Sequence, residues 1–301
     1  MVAAIHRREA FVSTFVALSV SALAYGAALA LAALGFLVLH KASGVVNFAH
    51  GDLITLGGYL ALWFIADLHA APLLGYLGAV AVMFGVGVLL ERVAFAPLRR
   101  RPHLTVLIAT LAAALVLRAA ISLWQGSTPR RLPSPVGDDA VTVFGASIAV
   151  QRIVVIAVAA VCVTGIVLLF TRTGFGRQLR AVSTDRMAAE LYGVNTARVS
   201  VLAWGLSAAL AALAGILVAP LSALDINFGF TMMLAAFAAA VLGGFGSLWG
   251  ATAGALLVGV LQYLVGGYVL QDFAAILPYA AMLLILAVRP RGLFGKAVTR
   301  L

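Results

Sequence analysis

Apolar runs of membrane-spanning length recur from one end of this sequence to the other, and they limit the fold more than any other feature. A helix needs ~20 apolar residues to cross a hydrocarbon core. By that rule residues 15–39, 53–65, 73–95, 104–124, 152–170, 199–221, 232–248, 251–270 and 274–288 read as spans. Of the 301 residues 64% are hydrophobic and only 10% are charged, against about 25% charged in soluble domains. The expected fold is therefore all-α, a polytopic integral membrane protein of about 8–9 transmembrane helices. Residues 1–301 read as a single transmembrane domain.

Several of these runs are short for a crossing, and the stretches 47–58 and 241–250 are rich in glycine. Irregular backbone at membrane depth is tolerated only where protein or a cavity covers it, so broken or re-entrant helices are expected at both. Residues 10–39 carry no charge and follow His6, Arg7 and Arg8. That stretch is about twice the length of a signal-peptide core, so it reads as a retained first span. The 30 glycines and many alanines suit helices that pack closely in lipid.

Residues 171–198, TRTGFGRQLRAVSTDRMAAELYGVNTAR, form the one long polar island. They hold Arg172, Arg177, Arg180, Arg186 and Arg198 against Asp185 and Glu190. Basic loops stay cytoplasmic, which places 171–198 inside together with 99–101 and the tail from Arg289. The loop 125–150, with Pro129, Pro133, Pro135, Asp138 and Asp139, then falls outside, and a hairpin is expected near 141–150. An odd number of crossings leaves the N-terminus outside despite Arg7 and Arg8, so either the N-terminus is an exception, the preferred reading, or the count is off by one segment near Asn47. The net charge of +10 is an orientation signal. No nucleic-acid partner is expected, since no aromatic-interleaved basic face accompanies it.

Within the island, Asp185, Ala189 and Gly193 recur every four residues, which on a helix puts them on one face with Ala181 a turn earlier. Ser183 or Thr184 is placed to cap that helix and Gly193-Val194-Asn195 to end it. Two readings stand: a solvated cytoplasmic loop, or a helix whose small-residue face docks another surface.

Polar groups at membrane depth cost ~2.5–3.5 kcal/mol each and face a cavity, a partner or the interface. Asn47, His50 and Asp52 in GVVNFAHGD either make an interfacial turn or belong to a discontinuous helix along a transport path. Arg118 is fifteenth in the run from Leu104, roughly 21 Å along. There it snorkels outward or faces the centre and attracts a carboxylate. Asp225, Asn227 and Gly229 read as an external turn, and Gln262 and Tyr263 as partners in interhelical hydrogen bonds. The middles of most spans lack Asp, Glu and Lys, which argues against an ion-coupled carrier. Cys162 stands alone, so no intrachain disulfide is possible. No P-loop, metal-ligand cluster or nucleophile with a base is visible. The chain is expected to be non-catalytic and without cofactor or metal.

Five stretches in order, GVVNFAHGD, ERVAFAPLRRR, GRQLRAVSTDRMAAELYGVN, AAVLGGFGSLWGATAGALLVG and RPRGLFG, resemble the permease subunits of branched-chain amino acid ABC importers, of the type that carries the NFAHG signature. The likeness runs from Gly35 to Lys296. It implies a type II ABC importer fold in the cell inner membrane. It also implies a coupling loop over residues 176–195, where Gly176, Arg177, Arg180, Asp185, Ala189 and Gly193 would meet the ATPase. The partners it implies are a homologous second permease subunit, two ABC ATPase subunits, an extracytoplasmic substrate-binding protein and the membrane lipid. Asn47, His50, Arg118 and Asn227 are the candidates for the translocation path. Arg118 and Gln262 depart from the family pattern, which leaves the solute open among branched-chain amino acids, other amino acids, urea and short amides. The rival expectation is a self-sufficient secondary carrier.

Overall fold

In a computed structural model of the chain, the described residues are 2–99, 101–137, 139–269 and 271–294, with side chains described from residue 11 onward. Asp138, Arg100 and the basic residues of 295–300 lie outside them. Helix α1 (Val2–Ser43) is followed by α2 (His50–Leu62), which runs on as a π turn (Trp63–Asp67). Helix α3 (Pro72–Leu90) runs on through a π turn (Glu91–Phe95) and a 3-10 turn (Ala96–Leu98), and α4 (His103–Gln125) comes next. Strands β1 (Ala140–Val143) and β2 (Ala146–Ala149) precede α5 (Val150–Arg172), α6 (Gly174–Thr184), α7 (Arg186–Leu191) and α8 (Thr196–Val218). The chain closes with α9 (Phe228–Gly243), α10 (Leu248–Val260), the three-residue α11 (Gly266–Tyr268) and α12 (Leu277–Val288).

Among the described residues, six helices are long and apolar enough to cross a membrane: Phe11–Ser43, Pro72–Leu98, His103–Gln125, Val150–Arg172, Thr196–Leu221 and Leu248–Tyr268. Phe228–Gly243 and Leu277–Val288 are apolar but shorter. The expected seventh run, 232–248, is corrected. Helix α9 stops at Gly243, and Leu248 already belongs to α10, because Ser247 accepts the Gly250 amide at 3.0 Å and caps the new helix.

The chain divides into two compact units, residues 31–132 with 162–234 and residues 1–30 with 133–161 and 235–301. In the first, α8 packs against both α2 and α3 through missing side chains. A Cβ on Gly57 would lie 2.4 Å from Ala212 Cα, and one on Gly87 would lie 2.4 Å from the Trp204 carbonyl oxygen. With little hydrophobic effect between helices in lipid, such close backbone approach supplies the dispersion contact that holds them. In the other unit α9 and α10 meet in the same way, since a Cβ on Gly254 would come within 2.1 Å of the Ala239 oxygen. Gly243 and Gly250 are in mutual backbone contact there. The expected hairpin is present in this unit: Val143 pairs with Ala146 across a two-residue turn. Phe144 and Gly145 both have positive φ in that turn, the conformation that matches strand twist.

Candidate functional site

The basic island folds as two helices with a corner between them. Helix α6 buries Leu179 and Val182 and leaves Arg177 and Arg180 outward. Thr173 caps it by accepting the Gly176 amide at 3.2 Å. Gly176 sits where a Cβ would fall 2.2 Å from the Phe170 carbonyl oxygen, so this glycine serves the close turn from α5 into α6. The Arg180 guanidinium donates to that same Phe170 oxygen. It thereby satisfies a carbonyl left over near the C-terminus of α5.

Asp185 is extended, at φ −152° and ψ 111°, and its carboxylate accepts the Ala188 amide at 3.0 Å. The cap of α7 is therefore Asp185 itself rather than Ser183 or Thr184, whose hydroxyls donate back to the Arg180 carbonyl. The expected single face of Ala181, Asp185, Ala189 and Gly193 is corrected for the same reason. The helix breaks at Asp185, and Gly193 lies beyond the end of α7. Ala189 is only 5% exposed and faces inward. Gly193 has φ +81°, and the Val194 amide reaches back to the Ala189 carbonyl at 3.0 Å, the arrangement of a glycine-terminated helix. Asn195 then caps α8 through the Arg198 amide at 2.9 Å. Thr196, the first residue of α8, donates to Glu190 Oε1 at 2.5 Å.

Beside the charged Arg186 and Glu190, α7 and the residue that ends it also present apolar side chains outward. Met187 is 75% exposed, Leu191 85% and Tyr192 90%. Sequence reasoning missed these three. Their signal was there, since Met187 and Leu191 stand four apart, one helical turn, within the basic island.

The polar residues around the α1–α2 break separate into distinct environments. The Phe48 amide donates to Thr110 Oγ1 at 3.3 Å, about 10 Å along α4 from its first residue. Helix α2 thus begins deep along α4, where its first amides need protein partners. One comes from Asn47, whose Oδ1 accepts the Ala49 amide at 3.0 Å. His50 is fully buried between the Ala32 carbonyl, 3.0 Å from Nε2, and Ser207 Oγ, 3.5 Å from Nδ1, with Phe36 edge-on. It pins the start of α2 to α1 and α8.

Asp52 faces the other way, and Arg118 Nε donates to its Oδ1 at 3.0 Å. Arg118 therefore does not snorkel outward: a carboxylate holds it, and its guanidinium lies 5.2 Å above the Phe230 ring. Asn227 is exposed just before α9, its amide donating to Asp225 Oδ1 at 2.6 Å. Two residues on, the Gly229 amide donates to Thr55 Oγ1 at 2.9 Å. The fold brings Asp52, Arg118 and Phe230 together, while His50 turns to α1 and α8. The Gln262 carbonyl oxygen finds no hydrogen-bond partner among the described residues, contrary to expectation.

A further polar cluster surrounds Glu91. Glu91, in the π turn that ends α3, is 1% exposed, and its Oε1 accepts Ser200 Oγ at 2.9 Å and Arg99 Nε at 2.9 Å. Its signal was a lone carboxylate near the end of an apolar run. Beside it Phe95 stacks on Trp204 at 4.2 Å. These side chains border an open cavity, which Asn47, Thr110 and Arg186 also line.

A family profile described as "Branched-chain amino acid transport system / permease component" matches residues 18–286. The high-affinity branched-chain amino acid transport system permease protein LivH of Escherichia coli (strain K12) is 32% identical over 284 residues, covering 90% of this chain and 92% of that protein. The corresponding protein BraD of Pseudomonas aeruginosa is 30% identical over 290 residues, covering 92% and 94%. A probable LivH of Methanocaldococcus jannaschii is 27% identical, covering 91% and 90%. Among solved structures, PsaBC from Streptococcus pneumoniae in complex with Fab superposes with a TM-score of 0.50 at 13% identity, covering 90% of this chain and 91% of that one. That likeness concerns the fold alone.

Proposed function

Because the chain belongs to the family of branched-chain amino acid transport permease components, we propose that it is one membrane half of an ATP-driven importer for branched-chain or related amino acids. The chain is a multi-pass permease subunit. The finer reading gives it a homologous second permease, two ATPase subunits bound at residues 171–198, and an extracytoplasmic binding protein that delivers the solute. The branched-chain amino acid transport for which its relatives are named supports the choice of solute.

The observation that carries this reading is the α6–α7 corner. A soluble loop gains nothing by holding Met187, Leu191 and Tyr192 in water, whereas a docking element buries them in a partner. Both ends of the corner are tied to spans, by Arg180 to the end of α5 and by Glu190 to the start of α8. A push on α7 from closing ATPases thus reaches two membrane helices through hydrogen bonds rather than through slack chain. Along the path, the guanidinium of Arg118 is the group suited to a solute carboxylate, and Asp52 holds it in place.

One observation favours a secondary carrier: Asp52 and Glu91 are buried acids of the sort that ion-coupled transport uses. Each is paired with an arginine, which lowers its value as a proton or cation site. Flux in lipid vesicles separates the two readings. The chain with its second permease, ATPases and binding protein should take up labelled leucine only with ATP. Leucine flux through the chain alone, without ATPases, overturns the importer.

A further inference from the structure

We infer that Asp52 and Arg118 together form a two-pole site for a zwitterionic solute, the guanidinium taking its carboxylate and Asp52 its ammonium, so that the pair selects amino acids over urea, amides and singly charged analogues. Both residues, with Phe230 beside them, belong to the unit formed by residues 31–132 and 162–234. Among the described residues Arg118 makes one hydrogen bond, from Nε to Asp52 Oδ1 at 3.0 Å. Its two terminal nitrogens, the fork that can grip a carboxylate at two points, are left over. Asp52 is only 1% exposed, yet its Oδ2 likewise has no hydrogen-bond partner among the described residues. Each member of the pair therefore keeps part of its bonding capacity in reserve.

The surroundings suit a solute path. Asp52 lies in the first turn of α2, which starts deep along α4, and helices that begin inside the membrane flank solute sites in transporters. Arg118 is 31% exposed, and the cost of charge at this depth turns that exposed part away from hydrocarbon. Charge balance then decides what the pair admits. A monoanion that draws the guanidinium away leaves Asp52 buried and bare, and a monocation at Asp52 leaves Arg118 bare; breaking a buried pair on one side is strongly unfavourable. An α-amino acid carries both charges on one carbon. As the guanidinium turns to its carboxylate, the ammonium takes the vacated place at Asp52, and one ion pair becomes two. Urea and neutral amides carry no charge with which to open the pair. The Phe230 ring, 5.2 Å from the guanidinium and 38% exposed, offers an apolar contact for an aliphatic side chain. The place of the pair on a path rests on the importer reading, but its recognition of a zwitterion does not.

Two measurements test the site. In thermal melting of the full-length chain in detergent, leucine should raise the midpoint, because a ligand of the folded state stabilises it. Leucinamide, isocaproate and urea at the same millimolar concentration should leave the midpoint where it is. An equal rise with the cation or the anion alone, or no rise with leucine, overturns the site, and this arm needs no variant to fold. The second measurement uses the neutral pair Arg118→Gln/Asp52→Asn, which should lose the leucine shift. In vesicles holding the chain with its second permease, ATPases and binding protein, that variant should take up leucine at least roughly tenfold more slowly, the scale of one lost charged hydrogen bond. A pair that is only structural would regain uptake together with stability, and recovery of both overturns the site. Uptake that proceeds without ATP would sink the importer reading alone. ATP-driven uptake with no leucine-specific shift would sink the zwitterion site alone.

Discussion

Arg118 on α4 and Asp52 on α2 meet through a 3.0 Å contact between Nε and Oδ1, with the Asp52 side chain 1% exposed and that of Arg118 31% exposed. Asp52 Oδ2 has no hydrogen-bond partner among the described residues, so the arginine is the main compensation for a carboxylate removed from water. Removing one partner of a buried pair costs ~3–5 kcal/mol, while removing both is often near neutral. Arg118→Gln should therefore destabilise the chain by about 2–3 kcal/mol, below that range because Arg118 keeps some solvent. Arg118→Gln/Asp52→Asn should recover most of the loss. Thermal unfolding of the purified variants in detergent reads both. If the double variant is as unstable as the single one, the pair is not what holds Asp52.

The exposed apolar corner of α7 gives a prediction about assembly rather than stability. Leu191 and Tyr192 touch little of their own chain, and exposed substitutions usually shift stability within ±0.5 kcal/mol. In a docked complex such side chains become buried anchors, worth ~2 kcal/mol or more each when truncated. Leu191→Asp/Tyr192→Asp should leave membrane insertion and melting unchanged while co-purification of the ATPase subunits falls at least tenfold. Full recovery of ATPases with this variant would place the docking surface elsewhere.

The long spans were legible because length and apolarity alone decide them, and Pro72 marks a helix start as its first residue by a local rule. The hairpin and the breaks at 44–49 and 244–247 were legible from glycine and polar punctuation. The interior of the basic island was not. Asp185 fits an i, i+4 stripe and an N-cap equally well, and only backbone geometry separates them. The pairings of Arg118 with Asp52 and of Ser200 with Glu91 join residues 66 and 109 positions apart. No local pattern encodes such contacts. They follow from how α2, α3, α4 and α8 pack, which is set by small residues whose partners lie far off in sequence.

Gly193 ends α7 with φ +81°, and nothing lies within 4 Å of a Cβ placed there. Its constraint is thus conformational rather than steric. A β-branched residue at positive φ costs about 1–2 kcal/mol, while asparagine pays far less. Gly193→Val should loosen the turn that joins Ala189 to Val194, lowering ATP-dependent uptake severalfold with insertion unchanged, and Gly193→Asn should transport near wild-type levels. Uptake assays in vesicles distinguish this from a purely spatial role, under which both variants would be equally impaired.

Gly57 and Gly85 lie inside α2 and α3, so replacing either by alanine brings the same helix-propensity gain of ~1 kcal/mol. Their surroundings differ. At Gly57 a Cβ would come within 2.4 Å of Ala212 Cα and 2.5 Å of its Cβ, whereas at Gly85 nothing lies within 4 Å. Because Ala212 Cα is backbone, α8 as a whole must move away from α2 to admit a methyl group. Overpacking of that kind typically costs ~1–3 kcal/mol, and in lipid the lost dispersion contact is the main force between the helices. Gly57→Ala should then lower the melting temperature despite its propensity gain, while Gly85→Ala should hold or raise it. Adding Ala212→Gly should restore only part of the loss, since Cα–Cβ contact persists when the alanine methyl is gone. Equal melting of Gly57→Ala and Gly85→Ala would show that α2 and α8 do not approach this closely in the membrane.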